Sequence, residues 1–143
     1  MLINGQWHLD GDGILRPVIQ GAIQIADDSW EPISFLVDTG ADRTALTAMV
    51  LNTLGPNVST QSELTGVGGR ASPVLVETQI SLPTENGPAA VFKGHFAAFT
   101  DPEALDMSVL GRDITNLFAL IVDRPGDIVC LLGQRHRYRI EEA

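Results

Sequence analysis

The sequence has little cysteine and no long apolar run, and each shortage excludes a class of protein. A single cysteine, Cys130, excludes an intrachain disulfide, and its apolar neighbours in Ile128–Leu132 favour a buried structural thiol over a nucleophile. No apolar stretch approaches the roughly 20 residues that a membrane helix needs. The start of the chain, Met1–Gln6, lacks the cationic and apolar regions of a secretory signal, so we expect a cytoplasmic protein without a membrane segment.

Cations are also scarce. Nine Lys and Arg residues stand against 18 Asp and Glu residues, giving a net charge of −9, so no nucleic-acid partner is expected. The one basic cluster, Arg135–Arg139, is typical of a solvated tail. The histidines His8, His95 and His136 lie far apart without the spacing of metal ligands, so we expect no metal and no cofactor.

The remaining composition is that of a folded, strand-rich protein. An apolar content of 44% is enough to bury a core, and 14 glycines and 8 prolines break the sequence into short segments. This spacing predicts a small, mostly antiparallel β-barrel or sandwich that forms one domain over residues 1–143. The strand-like segments are Ile14–Ile25, Ile33–Val37, Val74–Leu82, Ala90–Ala98, Phe118–Asp123 and Ile128–Leu132.

Two helical segments interrupt the strands. In Thr44–Leu54 the apolar residues fall on one helical face, and Gly55 and Pro56 provide a stop. Asp113–Leu117 is predicted to form a second, shorter helix. Asp123–Asp127 contains Pro and Gly in the positions of a hairpin turn.

The motif with the clearest chemistry is Asp38-Thr39-Gly40. The apolar strand Phe35–Val37 precedes it and is predicted to carry the Asp38 carboxylate into a dry interior, where Gly40 permits a tight turn. Such a triplet is weak by itself, because an Asp in this place also caps a helix or closes a turn. Two further segments strengthen the functional interpretation.

A glycine-rich turn, Leu64–Arg70, lies between two strand-like runs, and Val109–Asp113 places two apolar residues and a glycine before a helix. The order of these segments after Asp38-Thr39-Gly40 resembles that of retroviral proteases, as does the pair Arg16-Pro17 before the first long strand. The helix at Thr44 and the terminal hairpin make the chain more similar to cellular and bacterial retropepsin-like domains. The resemblance spans about Leu15 to Leu132 and implies a closed β-barrel with a flap hairpin and one or two short helices.

The resemblance implies an aspartic endopeptidase in which Asp38 is the catalytic carboxylate. Because the chain has one Asp-Thr-Gly triplet, a pair of carboxylates requires a homodimer. By resemblance, Thr39 bonds across the two-fold axis and Gly40 belongs to the catalytic loop. The predicted partners are therefore a second copy of the chain and a peptide or protein substrate.

The same resemblance implies roles in substrate binding and dimer contact. The predicted substrate-binding residues are Ala41, Asp42, the flap residues Gly66, Val67, Gly68 and Gly69, and the pocket residues Val109 and Leu110. Asp42 is also predicted to contact Arg112 of its own chain and Arg16 of the partner chain. Arginine suits such a site because its planar guanidinium can hold a carboxylate with two parallel hydrogen bonds.

Two alternatives stay open. The chain could be a catalytically silent dimerisation or peptide-binding module that retains the fold. It could also be a protease that acts only on its own precursor.

Overall fold

The computed structural model describes residues 1–55, 60–61, 73–135 and 137–142. In these residues the protein is mostly β, as predicted, with two short helices. The elements are β1 (Leu2–Asn4), β2 (Gln6–Leu9), β3 (Leu15–Gln24), β4 (Trp30–Val37), β5 (Ala45–Leu46), α1 (Ala48–Leu54), β6 (Thr60–Gln61), β7 (Pro73–Leu82), β8 (Ala90–Phe99), β9 (Ser108–Leu110), α2 (Arg112–Thr115), β10 (Ala119–Asp123) and β11 (Ile128–Leu132).

Six strands form a closed barrel, which confirms the predicted architecture. The larger sheet has the order β2-β3-β4-β9-β5-β8-β7-β6, and an additional pairing of β3 with β7 closes the ring. Most pairings are antiparallel, but β4 with β9 and β5 with β8 are parallel. The two parallel pairs place strands that are distant in the sequence next to each other in the barrel.

Strand periodicity explains the core. In β7, Val76, Ile80 and Leu82 are fully buried on one face, and Thr78 between them donates its hydroxyl to the Gln24 carbonyl at 2.8 Å. The barrel interior is completed by large apolar residues of the other strands, of which Phe35 on β4 is fully buried. Apolar burial on this scale is the main term that stabilises the fold.

A second, three-stranded sheet has the order β1-β11-β10. The hairpin of β10 and β11 is the one predicted from the turn Asp123–Asp127, in which the Gly126 N–H donates to Asp123 Oδ1 at 2.9 Å. β1 pairs with β11, and the Gly133 N–H bonds the Met1 carbonyl at 2.9 Å. Among the described residues, no helix is long and apolar enough to span a membrane.

The first predicted helix begins later than expected. Ala45 and Leu46 form β5, which pairs with both β8 and β9, so the helix starts only at Ala48. Thr47 caps it by accepting the Val50 N–H, and Gly55 ends it with a φ of 82°. Met49 is 80% exposed rather than part of the predicted apolar face. Tertiary strand pairing has overridden the helical pattern in the first turn.

Cys130 lies in β11 and is buried, as the sequence predicts. Burial raises the pKa of the Cys130 thiol, because a low-dielectric surrounding disfavours the charged thiolate. The raised pKa makes the reactive thiolate of Cys130 scarcer than that of an exposed cysteine. We expect a thiol-specific aromatic disulfide reagent to label the native chain at least about tenfold more slowly than the chain in guanidinium chloride. Equal labelling rates would contradict a buried structural thiol.

Candidate active site

Asp38 directly follows β4, at one end of the barrel. β4 runs parallel to β9, with Val37 opposite Leu110. The Asp38 N–H donates to the Leu110 carbonyl at 3.1 Å, so the strand pairing continues for one residue beyond Val37. The position of Asp38 is therefore fixed by the strand that precedes Gly111.

The residues after Asp38 form a tight turn. The Gly40 N–H donates to Asp38 Oδ1 at 3.0 Å, and the Ala41 N–H donates to the Asp38 carbonyl at 3.2 Å. A Cβ atom on Gly40 would lie 3.2 Å from the same carboxylate oxygen, which is tighter than most side-chain contacts. The turn thus orients one carboxylate oxygen of Asp38, and among the described residues no hydrogen bond engages the other.

The expectation that Asp38 enters a dry interior is wrong for the isolated chain. Asp38 is half-buried, whereas Thr39 and Gly40 are exposed. Val37 is the last buried residue of β4, because the turn projects from the end of the barrel. Water can be excluded from this carboxylate only if another surface covers the turn.

The turn is attached to the start of α2 by backbone and side-chain bonds. The Arg112 N–H donates to the Ala41 carbonyl at 2.9 Å, and the Asp113 N–H donates to the Asp42 carbonyl at 3.2 Å. Arg112 Nη1 donates to the Thr39 carbonyl at 2.6 Å, while its Nη2 donates to Asp42 Oδ1. The contact between Asp42 and Arg112 within one chain is therefore present. One guanidinium holds both sides of the turn.

A second set of hydrogen bonds joins Thr44, which follows the turn, to Gly111 and Asp113 at the start of α2. Asp113 Oδ1 accepts the Thr44 N–H at 2.9 Å and the Thr44 hydroxyl at 2.8 Å. The hydroxyl of Thr44, which is fully buried, in turn accepts the Gly111 N–H at 3.1 Å. The sequence predicts for Asp113 only a place near the start of a helix and gives Thr44 no role. Their partners are remote in sequence, so no local pattern could reveal the network.

Arg16 lies on β3 and pairs with carboxylates of its own chain. Its Nη2 lies 2.8 Å from Asp12 Oδ2, and its Nη1 also donates to Asp10 Oδ2. The hydrogen bond from Arg16 holds the pKa of Asp12 below its usual range, and these carboxylates raise the pKa of Arg16. The predicted contact of Arg16 with Asp42 of a partner chain stays a prediction, and Asp10 and Asp12 would compete with it.

The two predicted pocket residues differ in their surroundings. Leu110 has no exposed surface and belongs to the main core, so its assignment to a substrate pocket is revised. It faces inward because Val37 and Leu110 pair inside the barrel wall. Val109 points the other way, into a small cluster with Ala45 and Ala97 against which Ala41 packs. Val109 is also buried, with 6% of its surface exposed, but it lies on the side of β9 that faces Ala41, and its contact with substrate stays a prediction.

The flap residues Gly66, Val67, Gly68 and Gly69 lie outside the described residues. In the described part of the chain, no group of three or more His, Cys, Asp and Glu side chains could hold a metal ion.

The closed barrel, with Asp-Thr-Gly in a turn attached to the segment Leu110–Asp113, is a retropepsin-like fold. The chain belongs to the aspartyl protease family, because the model of that family matches residues 22–135.

A solved structure shares the fold, and a second one is similar in sequence. A retropepsin-like aspartic protease from Rickettsia conorii is 24% identical, with a TM-score of 0.52 over 92% of this chain and 88% of that chain. EIAV protease in complex with the inhibitor HBY-793 is 25% identical, with a TM-score of 0.46 over 71% of this chain and 86% of that chain. No curated protein matches the chain.

Proposed function

We propose that the protein is an aspartic endopeptidase that acts as a homodimer. The observation that carries the proposal is the Asp38 turn of a family member, in which one carboxylate oxygen is oriented by the Gly40 N–H and Arg112 holds the flanking Thr39 and Asp42. This attachment keeps an exposed turn in one geometry. A rigid turn suits a catalytic group that must meet a second one across a symmetry axis.

The single triplet determines how many chains are needed. Hydrolysis of a peptide bond without a covalent nucleophile requires one group that removes a proton from water and another that protonates the substrate. Two Asp38 carboxylates, one from each chain, supply both groups when they share one proton. Two negative charges a few ångströms apart repel each other strongly, so one carboxyl of the pair keeps its proton. This is the general reason why aspartic proteases share one proton between two carboxyl groups. The partner chain would also cover the half-exposed Asp38.

In the proposed reaction the charged carboxylate accepts a proton from the attacking water, and the protonated carboxyl donates its proton to the substrate carbonyl oxygen. The new C–O bond gives a tetrahedral intermediate. The carboxyl that took the proton from water then donates it to the amide nitrogen, while the other carboxylate removes a proton from a hydroxyl of the intermediate. The C–N bond breaks, and the carboxyl pair is again singly protonated.

We further propose that the substrate is an extended polypeptide. Gly40, Ala41 and Asp42 would present backbone groups to it, Val109 would contribute an apolar contact, and Gly66–Gly69 would close over it as a flap. Thr39 would bond across the two-fold axis.

A peptide library tests the proposal. Wild-type protein, incubated with the library from acidic to neutral pH and followed by mass spectrometry, should cleave internal peptide bonds, and the rate per chain should rise with protein concentration as dimers form. A dimeric protein that binds peptides without cleaving any of them would favour the silent module instead. Cleavage confined to the chain's own precursor would favour the self-processing protease.

Arg16 offers a separate test of the dimer contact. If Arg16 leaves Asp12 to pair with Asp42 of the partner, Arg16→Ala should raise the dimer dissociation constant by about tenfold, whereas Asp12→Asn should leave it unchanged or lower it. If Arg16 stays with its own chain, both substitutions should change the dimer dissociation constant little and to the same extent, because an exposed ion pair contributes little. Sedimentation velocity over a dilution series separates the two outcomes, and equal effects of the substitutions would refute the contact across the interface.

A further inference from the structure

A groove lies between one edge of β8 and α2. It has a volume of about 380 Å³, and its lining includes Val91 and Lys93 of β8, Asp113 and Ile114 of α2, and Leu117. Val91 is 51% exposed and Leu117 is 64% exposed, so the chain itself leaves both apolar side chains uncovered. We call this feature the β8 groove.

Beside Val91 and Lys93, the edge of β8 that faces this groove has no neighbouring strand among the described residues. β8 pairs with β7 over its whole length, whereas on its other side β5 pairs only with Ala97 and Ala98. The gap arises because β5 is two residues long and the chain then turns into α1. The part of β8 that holds Val91 and Lys93 is therefore an edge strand on the side of α2.

The direction of the backbone groups along this edge follows from one hydrogen bond. The Ala97 N–H donates to the Thr44 carbonyl at 3.0 Å, so the N–H of Ala97 points away from β7. Thr44 is bonded in turn to Asp113, which identifies this side of β8 as the side of α2. In an antiparallel ladder the backbone groups of alternate residues point to the same side, and the register of β8 against β7 is uninterrupted. Val91 and Lys93 therefore point their N–H and C=O groups into the β8 groove.

The charges around the β8 groove favour an acidic occupant. Lys93 is exposed and forms no ion pair among the described residues, and the residue opposite it on β7 is the neutral Gln79. The adjacent cavity is lined by Arg135 and Arg137. The carboxylate that lines the groove is that of Asp113, and its Oδ1 is already engaged in hydrogen bonds at the start of α2. A lysine on an edge strand repels a cationic strand and attracts an acidic one.

The two faces of β8 differ, so a strand added beside it would meet two different surroundings. Phe92 packs against the main core on the inner face, whereas Lys93 is exposed on the outer face. Side chains of an added strand alternate between these faces. Those on the inner face would lie near Phe92 and Leu117 and should be apolar, and the one beside Lys93 should be acidic.

We propose that the β8 groove binds an extended polypeptide segment that adds to β8 as a further strand. The segment carries an acidic side chain beside Lys93, flanked in sequence by two apolar side chains that pack on Phe92 and Leu117. Its main chain bonds the backbone groups of Val91 and Lys93. α2 borders both this groove and the Asp38 turn, but no residue of that turn lines the groove. The binding does not rest on the proposed function.

A short peptide tests the binding. The probe is acetylated and amidated Thr-Val-Glu-Val-Thr, whose side chains have the same order in both directions, so parallel and antiparallel addition present the same groups. It is titrated into the full-length Asp38→Asn chain, which should not cleave it, and followed by nuclear magnetic resonance of backbone amides. We expect saturable shifts of the Val91 and Lys93 amides and slower hydrogen exchange at both. The absence of saturable shifts at these amides overturns the proposal.

A reversal of charge tests the choice of an acidic segment. Lys93→Glu should weaken binding of the probe about tenfold, because an attraction becomes a repulsion. The same variant should bind Thr-Val-Lys-Val-Thr more tightly than the probe, which a merely structural role of Lys93 would not cause. Arg124→Glu makes the same change of charge in the turn between β10 and β11, outside the groove, and should leave binding unchanged. A Lys93→Glu chain that binds both peptides as the unchanged chain does contradicts the proposal.

Two methylated peptides test the main-chain contact. In the first, the amide nitrogens of Thr, Glu and Thr carry methyl groups, and in the second, those of the two Val residues do. Only one of these sets faces β8, because alternate amides of a strand point to the same neighbour. One methylated peptide should therefore bind like the probe, whereas the other should bind at least about tenfold more weakly. Equal binding by the two overturns strand addition.

The failure of this site and the failure of the proposed function are distinguishable. Hydrolysis of library peptides by the wild type, without probe binding at Val91 and Lys93, removes only the β8 groove as a binding site. Probe binding by a chain that cleaves no peptide removes only the proposed function.

Discussion

Asp38→Asn is expected to reduce peptide hydrolysis by about 10³-fold or more while the protein keeps its fold. An asparagine amide cannot accept the proton of the attacking water, so the pair of carboxyl groups loses its base. The turn should survive, because the Asn Oδ1 atom can accept the Gly40 N–H that Asp38 accepts at 3.0 Å. Asp38→Ala removes this acceptor as well and should therefore cost more stability than Asp38→Asn.

The measurement is the initial rate of cleavage of one peptide found in the library, with circular dichroism and sedimentation run on the same samples. Asp28→Asn is the matched control: Asp28 lies in the turn between β3 and β4 with a φ of 64°, which Asn tolerates well. This control should keep the wild-type rate. A rigorously purified Asp38→Asn protein with the wild-type rate would exclude Asp38 as the catalytic carboxylate.

Gly111→Ala should lower the stability of the fold strongly, although it adds only one methyl group. A Cβ atom at Gly111 would lie 2.3 Å from the carbonyl carbon and 2.5 Å from the carbonyl oxygen of Arg43, and backbone atoms cannot move aside as a flexible side chain can. Gly111 has a φ of −92°, so the cause is this close approach and not backbone strain. Overpacking of this kind costs about 1–3 kcal/mol, and more where the backbone is held by hydrogen bonds, as Thr44 is here.

Urea unfolding followed by fluorescence measures the effect as a lower midpoint with an unchanged slope. Gly94→Ala is the control, because a Cβ atom there would meet nothing nearer than Phe96 at 3.9 Å. That substitution should leave stability unchanged within about 1 kcal/mol. If Gly111→Ala unfolds at the same urea concentration as wild type, the segment Arg43–Thr44 is not fixed against α2 as described.

The sequence predicts the long elements of the fold well, because each one carries its own period. β7 and β8 are ten residues each, and both fall within one residue of the predicted segments at either end. The short strands β5 and β9 are invisible to such a pattern, since two or three residues establish no period. β5 was absorbed into the predicted helix for the same reason, and only its pairing with β8 and β9 reveals it.

The residues of the candidate site could be picked out from the sequence. The hydrogen bonds that hold them in place could not. Asp38-Thr39-Gly40 and Arg112 stand out by residue type and order, and the contact of Arg112 with Asp42 follows from the resemblance. The role of Thr44 does not follow from the resemblance, because a threonine before an apolar segment has no distinctive local signal. Leu110 was misassigned because adjacent residues of a strand face opposite sides, and the sequence alone does not tell which of Val109 and Leu110 points inward.

The attachment of the Asp38 turn to α2 has a consequence for when the site can form during synthesis. Thr39 and Arg112 are separated by 73 positions in the sequence, and Thr44 and Asp113 by 69. Contacts over such separations form late in folding, because a long loop must close before they are made. A ribosome-bound chain that ends before β9 carries Asp38 but lacks the backbone and side-chain partners that hold its turn. The order of synthesis thus delays the ordered Asp38 turn until β9 and α2 have emerged.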